Sequence, residues 1–410
     1  MIVLKFGGTS VGSAQAIRQV RDILEKKIEE IHDSFLVVVS AFTGVTNQLA
    51  TILERAASGD ESYEAILAEL KQRHVAAVRE LLEPKKQGEV LAKVQLLFNE
   101  LEDLSASIAN LREVTPKSSD MILSFGERLS SAIIHKYFEQ ELSEAVLIDP
   151  MKIIRCDSKH IRGEVDLKVS LENAKTYESE LGKLNLCPGF IGANDKGELV
   201  TLGRGGSDYS AALFANFYDA VRLEIWTDVD GLMTADPRLV SNARVISDLS
   251  YEEALELSHF GAKVIYPPSI QPALEKEIPI VIKNTFKPEA SGSRITQYFE
   301  DDATIRGISS IKNITLLNLR GSGMVGIPNF SFRLFETLSI HKINVVMITQ
   351  ASSEHTICVG IESKDELLAE EVINRTFAHE ISQHTILPVE VESDLSVLAL
   401  VGRNMKNQVG

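Results

Sequence analysis

Residues 1–13 read MIVLKFGGTSVGS. An apolar run, IVLKF, stops at two adjacent glycines followed by Thr9 and Ser10, and helical spacing resumes after Ser13. A strand that ends in glycines and hydroxyls just before a helix suits phosphate oxygens, because backbone amides and the helix N-terminus both face the ligand. The lysine, however, comes first. A Walker loop carries its lysine after the last glycine, as G-x-x-x-x-G-K-[ST], and that string is absent from the 410 residues. Lys5 therefore ends a strand, from which it can point between ligands held by other loops.

Outward from this start, strands and helices alternate through about residue 285. A helix is expected over 13–30, a strand at FLVVVSA, helices from about 46 to 140 and a strand at AVLID. Further strands are expected at LCPGFIGA, LVTLG, VRLEIWTD and IPIVIK, with helices at about 207–219 and 250–276. Such alternation predicts an α/β fold with a mostly parallel central sheet. The charges of the 46–140 stretch read as a solvated helix face. Residues 286–303 mix Pro, Gly, Ser and acids and mark a linker. The segment 304–410 then follows a shorter pattern. Strand ITLLNL, loop RGSGMVG, helix NFSFRLFETLSIHK, strand NVVMITQ, strand HTICVGI and helix DELLAEEVINRTF make a ferredoxin-like βαββαβ unit over about 312–380. LSVLALVGRNMKNQVG reads as the start of a second such unit, cut at Gly410.

Composition bounds the partners. With 44% hydrophobic and 24% charged residues the chain can bury large cores. A formal net charge of -16 argues against general attraction to nucleic acid or an anionic membrane, so an anionic ligand needs a local site. Cys156, Cys187 and Cys358 form no C-x-x-C pair, which fits a reducing compartment. No basic-then-apolar leader precedes Ile2, and apolar runs such as FLVVVSAF are too short to span a bilayer. A cytoplasmic location is the expectation.

Several loops carry candidate chemistry. Residues 321–326, GSGMVG, match G-x-G-x-x-G, yet no Asp or Glu lies from Thr337 to Ser353 to hold a ribose. A tight loop at a small-molecule effector site is the better reading. In TLGRGGSDYSAAL (201–213), Gly203, Gly205 and Gly206 permit close backbone approach, Arg204 offers a planar fork for a carboxylate or phosphate, and Ser207 and Asp208 open a helix. The alternative is a plain turn with Asp208 complementing the helix dipole. In WTDVDGLMTADPRL (226–239), Asp228 and Asp230 either cap a turn or border a nucleotide pocket that Arg238 completes; the later ligands of a calcium loop are missing. GAKVIYPP (261–268) is a helix end whose Lys263 is either a C-terminal cap or a phosphate contact.

Together KFGGTSV (5–11), SAFTGVTN (40–47), SFGERLS (124–130), GFIGAND (189–195), TLGRGGSDYSA (201–211), WTDVDG with TADPR, and FGAKVIYP (260–267) resemble the aspartate kinases, in order over nearly the whole chain. The resemblance implies the amino acid kinase fold, a parallel-rich sheet in an αβα sandwich over 1–285, followed by ACT-type regulatory units of the threonine-sensitive kind, often fused to homoserine dehydrogenase. It implies transfer of the γ-phosphoryl group of ATP to the side-chain carboxylate of L-aspartate, the entry to lysine, threonine and methionine synthesis. Lys5 and Asp208 would be catalytic, with Gly7, Gly8, Thr9 and Ser10 as the phosphate loop. Aspartate would lie against Ser40, Thr46, Glu127, Arg204, Gly205, Gly206 and Ser207. ATP would meet Thr227, Asp228, Met233, Arg238 and Lys263, although family members often carry an aromatic residue at the position of Met233. Mg2+ would be held mainly by the nucleotide, with no dedicated metal motif. A threonine or lysine effector would bind near Gly326, Ile327 and Gln350, and a homo-oligomer, dimer or higher, is expected. The rival reading is a silent amino-acid sensor with the same fold, or another amino acid kinase. A sensor has no need of Lys5.

Overall fold

The computed structural model describes residues 1–142, 144–259, 264–298, 305–321, 329–350 and 356–402. They fall into two compact units, the first over Met1–Arg306 and the second over Gly307–Val401.

The first unit runs β1 (Ile2–Phe6), α1 (Ala14–Glu30), β2 (Phe35–Val39), α2 (Val45–Ser58), α3 (Tyr63–Leu81), α4 (Pro84–Leu111), α5 (Pro116–Glu141) and β3 (Ala145–Leu147). It continues with α6 (Leu167–Tyr177), β4 (Leu184–Pro188), β5 (Ile191–Ala193), β6 (Leu199–Thr201), α7 (Gly206–Phe217) and β7 (Arg222–Thr227), then β8 (Asp248–Ser250), α8 (Tyr251–His259), α9 (Gln271–Glu275), β9 (Ile280–Asn284) and β10 (Ser293–Thr296). Eight strands form one sheet in the order β3-β4-β2-β1-β7-β9-β10-β8. All its pairings are parallel except β9 with β10. The expected parallel-rich sheet is therefore present.

Strand alternation decides which face each side chain meets. Ile2, Leu4 and Phe6 of β1 and Phe35, Val37 and Val39 of β2 join a buried core with α1 to α5. Lys5, one residue out of step, points to the opposite face, where α7 crosses β1, β2 and β7. Helices on both faces give the αβα sandwich.

Three expectations in this unit need correction. LCPGFIGA is two strands, because the chain breaks at Gly189 and Phe190, whose φ is 72°, and β5 pairs with β6 in a separate two-stranded sheet. The helix expected over 250–276 is interrupted: α8 ends at His259 and α9 starts at Gln271 after a short 3-10 turn at Pro267–Ile270. Two successive prolines remove the amide hydrogens a continuous helix needs. The linker expected over 286–303 contains β10, which sits inside the main sheet. Its Ser293 is buried and its hydroxyl reaches Ile246 O at 2.6 Å, so small polar residues that read as linker stitch the sheet edge instead.

The second unit comprises β11 (Gly307–Arg320), α10 (Phe330–Ile340), β12 (Val345–Gln350), β13 (Thr356–Glu362), α11 (Glu366–Thr376), α12 (Ala378–Ser382) and β14 (Glu390–Val401). The sheet order is β12-β13-β11-β14, with every pairing antiparallel. This is the ferredoxin-like βαββαβ arrangement expected. The correction lies at its end. Residues 395–401, read as opening a second unit, continue β14 and pair with Gly307–Ile314, past the register shifts and largely beyond the part of β11 that β13 covers; residues 403–410 lie outside the described residues. Glu390–Glu392 supply the missing final strand, and their alternating charged residues hid it.

Candidate active site

The site gathers at the carboxyl ends of β1, β2 and β4 and the N-terminus of α7. Lys5 Nζ lies 2.7 Å from Asp208 Oδ1, with both side chains largely shielded. Asp208 stands in the first turn of α7, where the helix dipole favours an acid. A β-carbon added at Gly7 would lie 3.5 Å from Lys5 Nζ, ordinary contact, so the ammonium packs directly over this glycine.

Glu127 projects from α5 beside these groups. Its carboxyl is buried, Ser207 Oγ is 3.4 Å from Oε1, and Oε2 has no hydrogen-bond partner. Burial pushes its pKa up to about 7, against weaker opposing pulls from the backbone of Ala41, Ser207 and Lys5. A buried, half-satisfied carboxylate suits an ammonium partner. Gly126 makes this placement possible: a β-carbon there would fall 2.7 Å from Ala41 Cβ, so any larger residue would drive α5 away from the 40–46 loop.

That loop carries Ser40, whose amide donates to Phe6 O at 3.2 Å, and Thr46 in the first turn of α2. On the α7 side, Gly205 caps the helix with φ 70°, and Arg204 projects outward with its guanidinium 5.4 Å from the ring of Tyr266. Lys5, Asp208, Glu127, Ser207 and the glycine turn are thus assembled around one region.

The phosphate loop is placed differently from expectation in part. The amide of Gly7 donates to Trp226 O at 3.0 Å, and Ser10 is fully buried, its hydroxyl 2.6 Å from Thr285 Oγ1. Ser10 therefore fastens the loop to the strand ends instead of facing a ligand, and of the two glycine amides only that of Gly8 is not spent on Trp226. Gly8 O accepts from Thr43 Oγ1 at 2.8 Å, while Thr9 remains partly exposed.

The expected ATP residues lie beyond β7. Thr227 ends the strand and its hydroxyl is 3.3 Å from Asp228 Oδ1. Met233 forms a backbone bridge with Val245. The Arg238 side chain is 85% exposed and pairs with Asp236 at 2.8 Å, so it does not converge on Lys5. Asp230, left open between a turn acid and a pocket wall, is held by Lys287 at 2.7 Å. Lys263 lies outside the described residues, as do the effector candidates Gly326 and Ile327. Gln350 is described, exposed at the end of β12. Among the described residues no cluster of three or more His, Cys, Asp or Glu could hold a metal ion, and no helix is long and apolar enough to cross a membrane.

Sequence reading missed residues that act through others. Arg73 of α3 donates to Thr43 O at 2.7 Å and Gly12 O at 2.9 Å, tying the 40–46 loop to the glycine loop. Tyr266 lies within the quoted FGAKVIYP but received no role; its ring braces Gly205 and Arg204. A helix-surface arginine and a tyrosine after a lysine give no local signal of such contacts.

The chain belongs to the amino acid kinase family, which residues 1–284 match, and residues 317–377 match the ACT domain. Among its relatives, the bifunctional aspartokinase/homoserine dehydrogenase of Haemophilus influenzae is 35% identical over the whole of this chain, which covers 50% of that protein. The chain spans about half the length of several such curated relatives. Lysine-sensitive aspartokinase 3 of Escherichia coli is 31% identical, with 89% of its length covered. Among solved structures, E. coli aspartokinase III in complex with aspartate and ADP superposes with a TM-score of 0.83 at 30% identity, covering all of this chain and 89% of that one. The aspartate kinase of Clostridium acetobutylicum superposes with a TM-score of 0.77 at 25% identity.

Proposed function

We propose that this chain is an aspartate kinase unit that transfers the γ-phosphoryl group of ATP to the side-chain carboxylate of L-aspartate, giving 4-phospho-L-aspartate and ADP. The observation that carries this reading is the shielded Lys5–Asp208 pair beside the half-satisfied Glu127 carboxylate. Aspartate brings an ammonium for Glu127, an α-carboxylate for the Arg204 fork and a second carboxylate for reaction. The E. coli aspartokinase III complex with aspartate and ADP, at 89% coverage, supports the same pairing of substrates.

The chemistry needs little acid–base help, because a carboxylate is already ionised at pH 7. One carboxylate oxygen attacks the γ-phosphorus, the bond from that phosphorus to the bridging oxygen breaks, and the electron pair leaves on ADP. No proton moves. The barrier lies in bringing two anions together, so positioning and charge stabilisation dominate. Lys5 neutralises the equatorial oxygens in flight, and Asp208 orients its ammonium. Gly8 and Thr9 face the phosphates, while Thr227, Asp228, Met233, Arg238 and Lys263 border the nucleotide. Arg238 must exchange Asp236 for phosphate to take part. Mg2+ accompanies ATP; near Lys5 stand Asp208, already in an ion pair, and Glu127, assigned to the aspartate ammonium, and among the described residues no cluster of three or more ligands forms, which fits a metal carried mainly by phosphate oxygens. Bound with ATP, such an ion would supply shielding of charge between the two anions.

A threonine or lysine effector at the second unit, with Gln350 among its contacts, a homo-oligomer and a cytoplasmic location complete the reading. E. coli aspartokinase III with lysine and aspartate gives precedent for an effector in a relative. An aspartyl hydroxamate assay with ATP and Mg2+ tests the core claim. Absence of aspartate-dependent product from folded protein would sink it and favour the silent sensor.

A further inference from the structure

A second buried carboxylate lies seven residues before Glu127 on the same helix. Seven residues are close to two turns, so Asp120 and Glu127 share one face of α5. Asp120 is fully buried. Oδ1 accepts the amide of Ile161 at 2.9 Å and the hydroxyl of Thr201, and Oδ2 accepts Nδ1 of His160 at 2.7 Å. One carboxylate thus joins α5, the end of β6 and the 157–163 segment.

Ile161 makes this junction informative. Its φ is 74°, a left-handed conformation that a β-branched residue adopts only under strain. The strain sits against the aspartate-binding turn: a β-carbon at Gly203 would lie 3.2 Å from Ile161 O and 3.5 Å from Arg162 Cγ. Gly163 N donates to Thr201 O at 2.9 Å, pinning the segment on its far side. From the other side, Phe190, also left-handed, would meet a β-carbon at Gly206 at 2.5 Å. The Gly203–Gly206 turn carrying Arg204 is therefore held between two strained residues, and Asp120 bonds directly to one of them.

We propose that Asp120 is a positioning residue for aspartate binding: by locking Ile161 in its left-handed conformation and holding Thr201, it sets the Arg204 turn at a fixed distance from Glu127. This rests on the aspartate kinase reading. The carboxylate touches no substrate. Its effect on catalysis passes through the distance between a fork for the α-carboxylate and an acid for the α-ammonium, so it selects for the amino-acid substrate and leaves ATP binding alone.

The test is steady-state kinetics on the full chain with both substrates varied. Asp120→Ala should raise the KM for aspartate at least tenfold, change the KM for ATP less than twofold and lower kcat by less than the KM rises. Asp120→Asn still accepts from Ile161 and Thr201 and should stay within threefold of wild type. Ile161→Gly placed in the Asp120→Ala background should recover most of the lost affinity, because glycine holds φ 74° without a lock. A merely structural role would not be rescued by that change. If Asp120→Ala does not fold, Thr201→Val carries the test, with an aspartate-selective KM rise of roughly threefold expected. Equal rises for both substrates, no rise, or no rescue by Ile161→Gly would overturn the proposal. A wild-type chain without aspartate-dependent turnover would instead overturn the functional reading itself.

Discussion

Glu127 should cost the ligand-free protein stability in proportion to what it offers the substrate. Its pKa lies at about 7 in the folded chain against an ordinary 4.5, with burial as the largest cause. The difference corresponds to roughly 3 kcal/mol of penalty on the ionised form. Because the folded pKa is raised, the folded state binds the extra proton between pH 4.5 and 7. Stability from this group is fully present below 4.5 and falls by about 1.4 kcal/mol per pH unit until it levels off above 7. Glu127→Gln keeps the shape and removes the charge. It should therefore stabilise the ligand-free chain at pH 8 by up to about 3 kcal/mol and have little effect at pH 4.5. Binding should show the opposite: wild-type KM for aspartate improves as pH rises through 7, while the glutamine variant binds aspartate at least a hundredfold more weakly at pH 8. Urea unfolding at the two pH values, read beside aspartate kinetics, measures both sides. Equal stability of the two proteins at pH 8, or unchanged aspartate KM in Glu127→Gln, would refute the assignment of Glu127 as the ammonium site.

Lys5→Ala should lower kcat by roughly 10²–10³-fold or more while leaving the circular dichroism spectrum unchanged, since it removes a charge that acts on the transferring group; near-normal turnover would refute its role. Gly126→Ala gains about 1 kcal/mol of helix propensity but meets Ala41 Cβ at 2.7 Å, and a clash costing about 1–3 kcal/mol should outweigh it, leaving a net loss of up to about 2 kcal/mol seen as a lower Tm and a higher aspartate KM. Arg73→Ala removes two hydrogen bonds to the loop carbonyls of Thr43 and Gly12, each worth about 1.5–3 kcal/mol when the donor is charged. Its kcat/KM should fall at least tenfold although Arg73 has no assigned substrate contact, and a variant equal to wild type would show that the two loops hold themselves.

What could be read in the sequence was local. The FGG break after IVLKF, the GRGGSD helix start and the long helical stretch each follow from spacing or from the conformational freedom of glycine, and each lies where expected. What could not be read depends on partners far along the chain. Ser10 looks like a phosphate hydroxyl in any window of ten residues; only the approach of Thr285 and Trp226 turns it inward. LCPGFIGA alternates like one strand until Phe190 adopts a left-handed φ to meet the glycine turn. Ser293 and Gly292 resemble linker residues because burial of a serine whose hydroxyl is satisfied leaves no apolar signature. Asp120, His160 and Thr201 form one junction from three segments, and none has a motif of its own.

The proposed function requires a chain of net charge -16 to admit a nucleotide, and the paired state of its cations bears on how it would. At physiological ionic strength the Debye length is about 8 Å, so surface acids farther than that from a bound nucleotide are largely screened and the charges nearest the site decide. Lys5 rests on Asp208, and Arg238, out on the surface, rests on Asp236. The two pairs differ in consequence. Arg238 is exposed, its pair is weak, and phosphate can take the guanidinium from Asp236 at little cost. Lys5 is shielded, and Asp208 sits where the α7 dipole already stabilises its charge, so the pair persists when substrates arrive. In the proposed reaction Lys5 would then present its remaining ammonium hydrogens to the phosphoryl oxygens from a fixed origin. A free lysine would need to be ordered in each turnover. Strand-end placement, which separated this lysine from the Walker pattern, is what allows an acid on a neighbouring helix to hold it ready between the two anions.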